Sequence, residues 1–476
     1  MRKQLWLFVG IVVFIVMQLM GAPGSLTDKA WDVICVASLM TILWITETME
    51  LGITALIPIV MFPLLDITSF QKVTLQYANE TIFLFMGGFM LAIALERSHI
   101  HERFALHCIR LIGGSPTRVM LGFMLVIFFL SMWVSNTAAV LMTVPICTAV
   151  IERLKAQAQP NEISDINKFS KALYLSLAYA ASIGGICTII GTPPNIVLVS
   201  ILSQNANVHI SFVQWMMFAT PLAFLFLIIV WLLLSRVLMS KKARKLSIDT
   251  TRITGELDEL GSLSTHEKRV VVVFFCIVFM WIFRGLINWD VFQKISDTTV
   301  AIAGAILLFL IPCDKAGGEH LLEWRDASRL PWNILLLFGG GLALSQGFGS
   351  SGLSDTIANI VSNMHNINLM IFILLISLVT VALTELMSNT ATANLLIPIS
   401  ISIAAGLGAS PYFIAVPVAI SASFAFMLPI STPPNAIVYS YGFISIKEMA
   451  CVGIFFNIIG LILVTLFSYY VMPLIF

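Results

Sequence analysis

The sequence predicts an all-α polytopic membrane protein, and its composition and its repeated polar motifs are the observations that predict it. Of 476 residues, 59% are hydrophobic and 11% are charged, and the mean hydropathy is +0.97. A soluble globular chain carries about 25% charged residues, so this chain has too few charges to cover a water-facing surface. Apolar runs recur from Leu5 to Phe476, which leaves no room for a large soluble domain.

Several apolar runs approach the length of about 20 residues that a helix needs to cross a bilayer. They cover residues 5–20, 31–44, 212–238, 270–286, 299–311 and 454–476. The first run is longer than the apolar part of a signal peptide, about 7–15 residues, so we predict a first transmembrane helix. Arg2 and Lys3 before it predict a cytoplasmic N-terminus in a multi-pass protein of the cell (plasma) membrane.

A polar stretch divides the chain into two halves. Residues 241–245 at its start include four basic ones, and positively charged connectors lie on the cytoplasmic side of a membrane. We therefore predict a first half over residues 1–240, a cytoplasmic linker over 241–267 and a second half over 268–476. The net charge is only +1 and no basic stripe occurs, so no nucleic-acid partner is predicted.

Two apolar stretches, residues 119–151 and 369–407, are too long for one span, and each carries a polar triplet near its centre. The triplets are Ser135, Asn136 and Thr137, and Ser388, Asn389 and Thr390. Inside a continuous membrane helix, these side chains would be unpaired in hydrocarbon, which is costly. We predict that both helices break there and line a protected cavity, as discontinuous helices do in secondary transporters.

A second motif, Thr-Pro-Pro-Asn, also occurs twice. Its copies begin at Thr192 and Thr432, after Gly191 and Ser431. Two consecutive prolines cannot continue a helix, and the residue before a proline is pushed to extended backbone. Each copy therefore predicts a loop inside an apolar region, followed by a new helix with an uncapped N-terminus.

A third pair of segments is rich in glycine. Residues 81–95 contain Gly87 and Gly88, and residues 333–346 contain three glycines at 339–341. Each segment has about 15 residues, short for a span, so we interpret them as re-entrant helical hairpins. The alternative, which the sequence leaves open, is that the glycines form helix-packing surfaces.

The three motif pairs occur in the same order in both halves. The interval between matching residues is 252 for the glycine-rich pair, 253 for the triplets and 240 for the Thr-Pro-Pro-Asn pair. A polar insertion at residues 152–170 accounts for the shorter last interval. An internal repeat of this kind places a binding site where the repeats meet, near the middle of the membrane.

The repeated motifs offer groups that bind a dianion. Hydroxyls, amides and free N–H groups at the helix starts are donors, and a helix N-terminus carries roughly half a positive charge. Two similar donor clusters suit a ligand with two acidic ends, such as a dicarboxylate. Because no lysine or arginine lies near the triplets, helix dipoles or bound cations must neutralise the ligand. Exposed carbonyl, serine and asparagine oxygens can coordinate Na⁺.

Glu385 lies three residues before Ser388, inside the second long apolar stretch. It could be a proton relay or a structural carboxylate that hydrogen-bonds freed backbone groups, and we slightly favour the structural role. The sequence has no nucleophile with a base, no phosphate-binding loop and no metal-ligand spacing, so an enzyme is not predicted.

The motifs resemble those of the divalent anion/sodium symporter family, the INDY-type di- and tricarboxylate transporters. The resemblance rests on both triplets, both Thr-Pro-Pro-Asn segments and an early motif at residues 44–47 and 54–58, and it covers essentially the whole chain. It implies two inverted repeats with about 11 transmembrane helices and two re-entrant hairpins. It also implies a homodimer in which transport domains move past a scaffold, an elevator mechanism.

The resemblance further implies a set of binding residues. The substrate contacts carried over by motif are Ser135, Asn136, Thr137, Thr192, Ser388, Asn389, Thr390, Thr432 and Pro433. The cation ligands carried over are Ser131, Ser135, Asn136, Gly191, Thr384 and Asn389. The coupling ion would be Na⁺, and no other cofactor is implied.

Three positions depart from the family pattern. Met387 stands where sodium symporters usually have a small residue, Ser431 where they often have alanine, and Glu50 where a proline is usual. Because Met387 is bulky and beside the second cation site, we slightly favour exchange of four- and five-carbon dicarboxylates such as succinate, malate, fumarate and 2-oxoglutarate. The alternatives are sodium-coupled symport of dicarboxylates or citrate, and transport of an inorganic oxyanion such as sulfate. A channel is disfavoured because no span carries a continuous polar stripe.

Overall fold

The computed structural model describes residues 2–24, 26–112, 114–160, 162–246, 260–284, 294–314, 318–363 and 368–476. The described residues form helices joined by loops, with one isolated antiparallel bridge between Pro312 and His320. This confirms the predicted all-α fold. Much of the predicted linker, residues 247–259, lies outside the described residues.

Two sets of helices follow one another along the chain. Those before the linker are α1 (Arg2–Met20), α2 (Asp28–Thr46), α3 (Leu51–Thr54), α4 (Ile57–Leu64), α5 (Phe70–Leu75), α6 (Glu80–Arg97), α7 (Ile100–Ile112), α8 (Pro116–Ser131), α9 (Asn136–Gln157), α10 (Ile163–Gly185), α11 (Pro193–Asn205) and α12 (Phe212–Leu233). Those after it are α13 (Thr265–Phe283), α14 (Asp297–Leu310), α15 (Trp324–Ala327), α16 (Trp332–Ser350), α17 (Leu353–Ser362), α18 (Leu369–Thr384), α19 (Asn389–Gly406), α20 (Tyr412–Ser421), α21 (Pro433–Ser440) and α22 (Ile446–Tyr470).

By length and composition, five helices of the described residues can cross a membrane, or six if the bent pair α16–α17 is one span. The other apolar helices have 10 to 17 residues, and several of them end where a polar motif interrupts an apolar stretch. The predicted total of about 11 transmembrane helices and the inverted order of the two halves stay predictions.

Neither glycine-rich segment folds back on itself as a hairpin, contrary to the prediction, although re-entry of the bent pair α16–α17 stays a prediction. Each lies within one continuous helix, α6 or α16. A Cβ atom at Gly340 would lie 2.5 Å from the Ala55 carbonyl oxygen, and one at Gly87 would lie 2.7 Å from the Ala301 carbonyl carbon. The missing side chains therefore let neighbouring backbones approach closely, which is the packing role that the sequence left open.

Two large apolar cores and a small third cluster around Val361 and Ile414 hold the described helices together. The larger core contains residues from each helix between α6 and α14 and from most of the later helices. The smaller core joins α2 and α4 to α16, and it includes Met387 and Ala391 from the two sides of the second triplet. The second triplet therefore lies where the two cores meet.

Candidate functional site

The first triplet starts helix α9. Ser135 is its N-cap, and the Ser135 hydroxyl accepts a hydrogen bond from the Ala138 N–H at 3.2 Å. Asn136 begins the helix, and its Oδ1 accepts from the Ser131 hydroxyl at 2.5 Å. The Ser131 hydroxyl also lies 2.7 Å from the Ala181 carbonyl oxygen. The predicted break at this triplet is confirmed.

The second triplet repeats this arrangement at the start of α19. Ser388 is the N-cap, and its hydroxyl accepts from the Ala391 N–H at 3.2 Å. The Thr384 hydroxyl donates to Asn389 Oδ1 at 2.8 Å and lies 2.6 Å from the Ala422 carbonyl oxygen. Thr384 thus has the role that Ser131 has in the first copy.

The Thr-Pro-Pro-Asn segments start α11 and α21 at their first proline, as predicted. Thr192 and Thr432 before them are extended, both with φ of −144°. Thr432 caps its helix, because its hydroxyl accepts from the Asn435 N–H at 3.4 Å, whereas Thr192 makes no side-chain cap. The prediction of uncapped helix starts is therefore wrong for Thr432: its hydroxyl lies close enough to a free N–H of the first turn to accept from it.

The asparagine of each Thr-Pro-Pro-Asn segment is fully buried and fixes the loop before it. The Asn195 amide donates to the carbonyl oxygens of residues 185, 186 and 188 at 2.7–3.3 Å. The Asn435 amide donates to those of residues 425 and 428 at 2.8 and 3.1 Å. Sequence reasoning missed this role. The available signal was an amide in an apolar run beside carbonyls that a broken helix leaves free.

The four helix breaks belong to one packed unit. Helix α11 packs on α19, and α21 packs on α9, so each Thr-Pro-Pro-Asn helix lies against the triplet helix of the other half. Within the first half, a Cβ atom at Gly185 would lie only 2.6 Å from Asn136 Oδ1. One at Gly191 would lie 3.0 Å from the Ser131 carbonyl oxygen. The backbone beside the first triplet is therefore in close contact with its side chains.

The predicted substrate contacts differ in exposure. Ser135 and Pro433 are exposed, and Thr192, Thr390 and Thr432 are buried. The half-buried ones are Asn136, Thr137, Ser388 and Asn389. The serine and asparagine of each triplet are therefore accessible, whereas the three buried threonines are covered by protein.

Each triplet gathers oxygen atoms of the kind that hold a hard cation. The first cluster contains Ser131 Oγ, Asn136 Oδ1 and the Ala181 carbonyl oxygen. The second contains Thr384 Oγ1, Asn389 Oδ1 and the Ala422 carbonyl oxygen. Hydroxyl, amide and carbonyl oxygens are an appropriate donor set for Na⁺. The Ser135 hydroxyl, another predicted cation ligand, serves as the cap of α9.

Glu385 is buried and accepts hydrogen bonds from five donors. The donors to Oε1 and Oε2, at 2.7–3.3 Å, are the N–H groups of Phe426, Met427 and Leu428, the Ser431 hydroxyl and the Asn457 amide. This geometry supports the structural carboxylate over the proton relay. It also gives the departure at Ser431 a role, because alanine there would remove one donor.

Met387 is 3% exposed and packs in the smaller apolar core. Its side chain is therefore accommodated among apolar residues of α2 and α16. The other departure, Glu50, stands before the short helix α3 and makes no side-chain cap.

The turn between α6 and α7 brings together three groups that sequence reasoning did not connect. Ligand atoms of His99, His101 and Glu102 lie within 4.8 Å of one another, and His99 Nδ1 lies 3.0 Å from Glu102 Oε1. Burial lowers the pKa of His101. The sequence spacing of these residues did not predict the cluster, because their closeness depends on a left-handed backbone at His99, with φ of 56°.

Paired helix breaks around polar groups in a helical membrane protein are typical of transport proteins. Residues 2–476 match the family described as the sodium:sulfate symporter transmembrane region, and the chain belongs to this family. The resemblance drawn from the motifs is thus confirmed.

Named relatives cover nearly the whole chain. It is 37% identical over 471 residues to the sodium-dependent dicarboxylate transporter SdcS of Staphylococcus saprophyticus, covering 98% of this chain and 91% of that protein. It is 40% identical over 474 residues to the protein of the same name in Staphylococcus aureus strain USA300, with the same coverage. Its fold is similar to that of the Alcanivorax borkumensis YdaH transporter, with a TM-score of 0.57, 13% identity, and 99% and 97% of the two chains covered.

Proposed function

We propose that this protein is a secondary active transporter of four- and five-carbon dicarboxylates, such as succinate, malate, fumarate and 2-oxoglutarate, with Na⁺ as the coupling ion. The observation that carries the proposal is the matched geometry of the two triplets. Ser135 and Ser388 cap their helices alike, and Asn136 and Asn389 accept from a hydroxyl alike. The names of the Staphylococcus relatives support both the substrate class and the ion.

Each half of the site would bind one carboxylate. A capping serine accepts one hydrogen bond from the backbone and keeps its own proton to donate. The first N–H groups of α9 and α19 have no partner within their helices, and the helix dipole favours an anion there. Two such helix starts provide the two anion sites that a dicarboxylate requires, and they do so without a lysine or arginine.

Na⁺ would supply the positive charge that neutralises the bound dianion. Ser131 and Asn136 would hold it in the first half, and Thr384, Asn389 and the Ala422 carbonyl oxygen in the second. Their oxygen atoms already lie within 2.5–2.8 Å hydrogen bonds of one another. Replacing those hydrogen bonds by cation contacts needs only small shifts of side chains.

Coupling is tested in proteoliposomes by varying the sodium gradient and the internal dicarboxylate independently. Succinate uptake driven by an inward sodium gradient, with no internal dicarboxylate, supports sodium symport and contradicts exchange. Uptake that needs internal dicarboxylate and ignores sodium would support exchange, which Met387 favoured at the level of sequence. Competition separates the substrate classes: excess malate should abolish labelled succinate uptake, whereas inhibition by sulfate alone would support the oxyanion alternative.

We also propose an elevator mechanism in a homodimer, with a cytoplasmic N-terminus. In this proposal α8–α12 and α18–α22 move past a scaffold of α1–α7 and α13–α17. The packing of Met387 and Ala391, on the two sides of the second triplet, against α2, α4 and α16 in the smaller core supports it, since this packing puts the second triplet at a boundary between the moving set and the scaffold. Light scattering of the purified protein in detergent tests the dimer, and a monomeric mass would contradict it.

A further inference from the structure

The two helix breaks that precede the Thr-Pro-Pro-Asn segments differ in length. Helix α10 ends at Gly185 and α20 ends at Ser421. When Asn195 and Asn435 are aligned, α10 continues one turn further than α20. The second copy therefore has an unwound turn where the first copy is helical.

Glu385 accounts for this difference. In the first copy, the N–H groups of Ile186 and Cys187 bond to carbonyl oxygens of the last turn of α10, at 3.3 and 3.1 Å. The matching N–H groups, of Phe426 and Met427, bond instead to the Glu385 carboxylate at 2.9 and 3.0 Å. The position that matches Glu385 in the first copy is the apolar Met132. A side-chain anion thus replaces helix carbonyls in the second half only.

The unwound turn changes the second oxygen cluster. Ala181 lies inside α10, where its carbonyl oxygen is also a helix acceptor. Ala422 lies just beyond the end of α20, so its carbonyl oxygen is directed to Thr384 alone among the described contacts. Thr384 is the residue next to Glu385. The second cluster therefore combines a carbonyl oxygen free of helix bonding with a nearby buried negative charge.

We propose that Glu385 is a positioning residue that makes the second cation site the stronger one. Its carboxylate holds the turn at residues 426–428 unwound, and its charge attracts Na⁺ in a region of low dielectric constant. It does not ligate the ion, because five donors already occupy its acceptor sites. The inference rests on the proposed coupling to Na⁺, and it assigns the two half-sites unequal sodium affinities.

The Glu385→Gln variant removes the charge and keeps the size of the side chain. The sodium concentration for half-maximal succinate uptake should rise at least about tenfold, equivalent to about 1.4 kcal/mol. The KM for succinate at saturating sodium should change less than about threefold. The matched control is Ser431→Ala, which removes one donor but keeps the charge, and its sodium dependence should stay within about twofold.

A second measurement separates this inference from the substrate assignment. Without any dicarboxylate, sodium should raise the Tm of the purified wild-type protein relative to potassium, and Glu385→Gln should lose most of this increase. If the wild type shows this effect but takes up no dicarboxylate, the inference stands and the proposed substrate fails. If Glu385→Gln keeps the wild-type sodium dependence, or if Ser431→Ala loses as much as Glu385→Gln, the inference is overturned.

Glu385→Asp tests the same inference if the glutamine variant does not fold. It keeps the charge and shortens the side chain, so its sodium dependence should stay within about threefold of the wild type. A tenfold or larger rise in this variant would show that the charge does not set the sodium affinity, and it would overturn the assignment of that affinity to the charge of Glu385.

Discussion

At the scale of single residues, the asparagines divide into two functional groups. Asn136 and Asn389 are half-buried and can reach a ligand, whereas Asn195 and Asn435 are fully buried and bind backbone carbonyls. The same side chain therefore has a proposed role in ligand binding in the triplets and a structural role in the Thr-Pro-Pro-Asn segments. The structural role occurs where free backbone carbonyl oxygens lie within reach of the asparagine amide.

Asn136→Ala and Asn389→Ala should each abolish succinate uptake while the protein folds normally. Each removes an amide that faces both the ligand and the oxygen cluster, but it leaves the capping serine in place. Uptake in proteoliposomes and the elution profile in detergent are the measurements. Asn167→Ala, at an exposed position of α10, is the control and should transport like the wild type. Near-normal uptake by both triplet variants would contradict the site.

At the scale of elements, the glycines of α16 separate into close-packed and free positions. Gly340→Ala should lower the free energy of unfolding by about 2 kcal/mol or more, because its Cβ atom would lie 2.5 Å from the Ala55 carbonyl oxygen. Gly349→Ala in the same helix meets nothing within 4 Å and should be neutral or stabilising by about 0.5–1 kcal/mol. Thermal unfolding in detergent compares the two. Equal Tm values would show that close packing at Gly340 is unimportant.

Helices α7 and α13 are joined by a buried ion pair. Arg103 Nε donates to Glu267 Oε1 at 2.9 Å, with side chains 10% and 11% exposed, and Arg103 also binds the Gly261 carbonyl oxygen. Arg103→Ala would leave a buried carboxylate without its partner, at a cost of about 3–5 kcal/mol. Lys29→Ala, which breaks the exposed pair with Asp66, should cost less than about 1 kcal/mol. Similar Tm losses in the two variants would argue against a structural role for the buried pair.

The element scale also shows what the sequence could predict. The breaks at the triplets and at Pro193 and Pro433 follow from local signals, because prolines and unpaired polar groups end helices wherever they occur. For Glu385, the sequence predicted hydrogen bonds to freed backbone groups but not which groups they are. Phe426 and Asn457 are 41 and 72 residues away from it in the chain. The lengths of the glycine-rich segments were underestimated because their ends were judged by hydrophobicity, whereas α6 continues to the charged Glu80 and Arg97 and α16 continues to Ser350.

At the scale of the whole molecule, the proposed movement requires contacts to break between the two sets of helices. The Asn205 amide on α11 lies 2.6 Å from the Ser345 hydroxyl on α16. After replacement of the seven native cysteines, Asn205→Cys with Ser345→Cys should form a cross-link that stops uptake, and reduction should restore it. The control pair, Ser240→Cys with Asp165→Cys, joins α10 to the segment that follows α12, where Ser240 Oγ lies 2.6 Å from Asp165 Oδ1, so it does not link the moving set to the scaffold. Its cross-link should leave uptake intact.

An active Asn205–Ser345 cross-linked protein would contradict the elevator mechanism. Loss of uptake in both cross-linked pairs would mean that the protein tolerates no constraint at all, and the experiment would then have to use longer bifunctional reagents.

The packing of α11 on α19 and of α21 on α9 has a consequence for which molecules fit. Because helices of opposite halves pack against one another, the separation between the two helix starts that we propose to bind the carboxylates is set by helix diameters and not by a flexible loop. A fixed separation would limit the length of the carbon chain between two acidic groups. A chain one or two carbons too long would leave one carboxylate without its donors, so we expect the packing of the helices to select dicarboxylates by length.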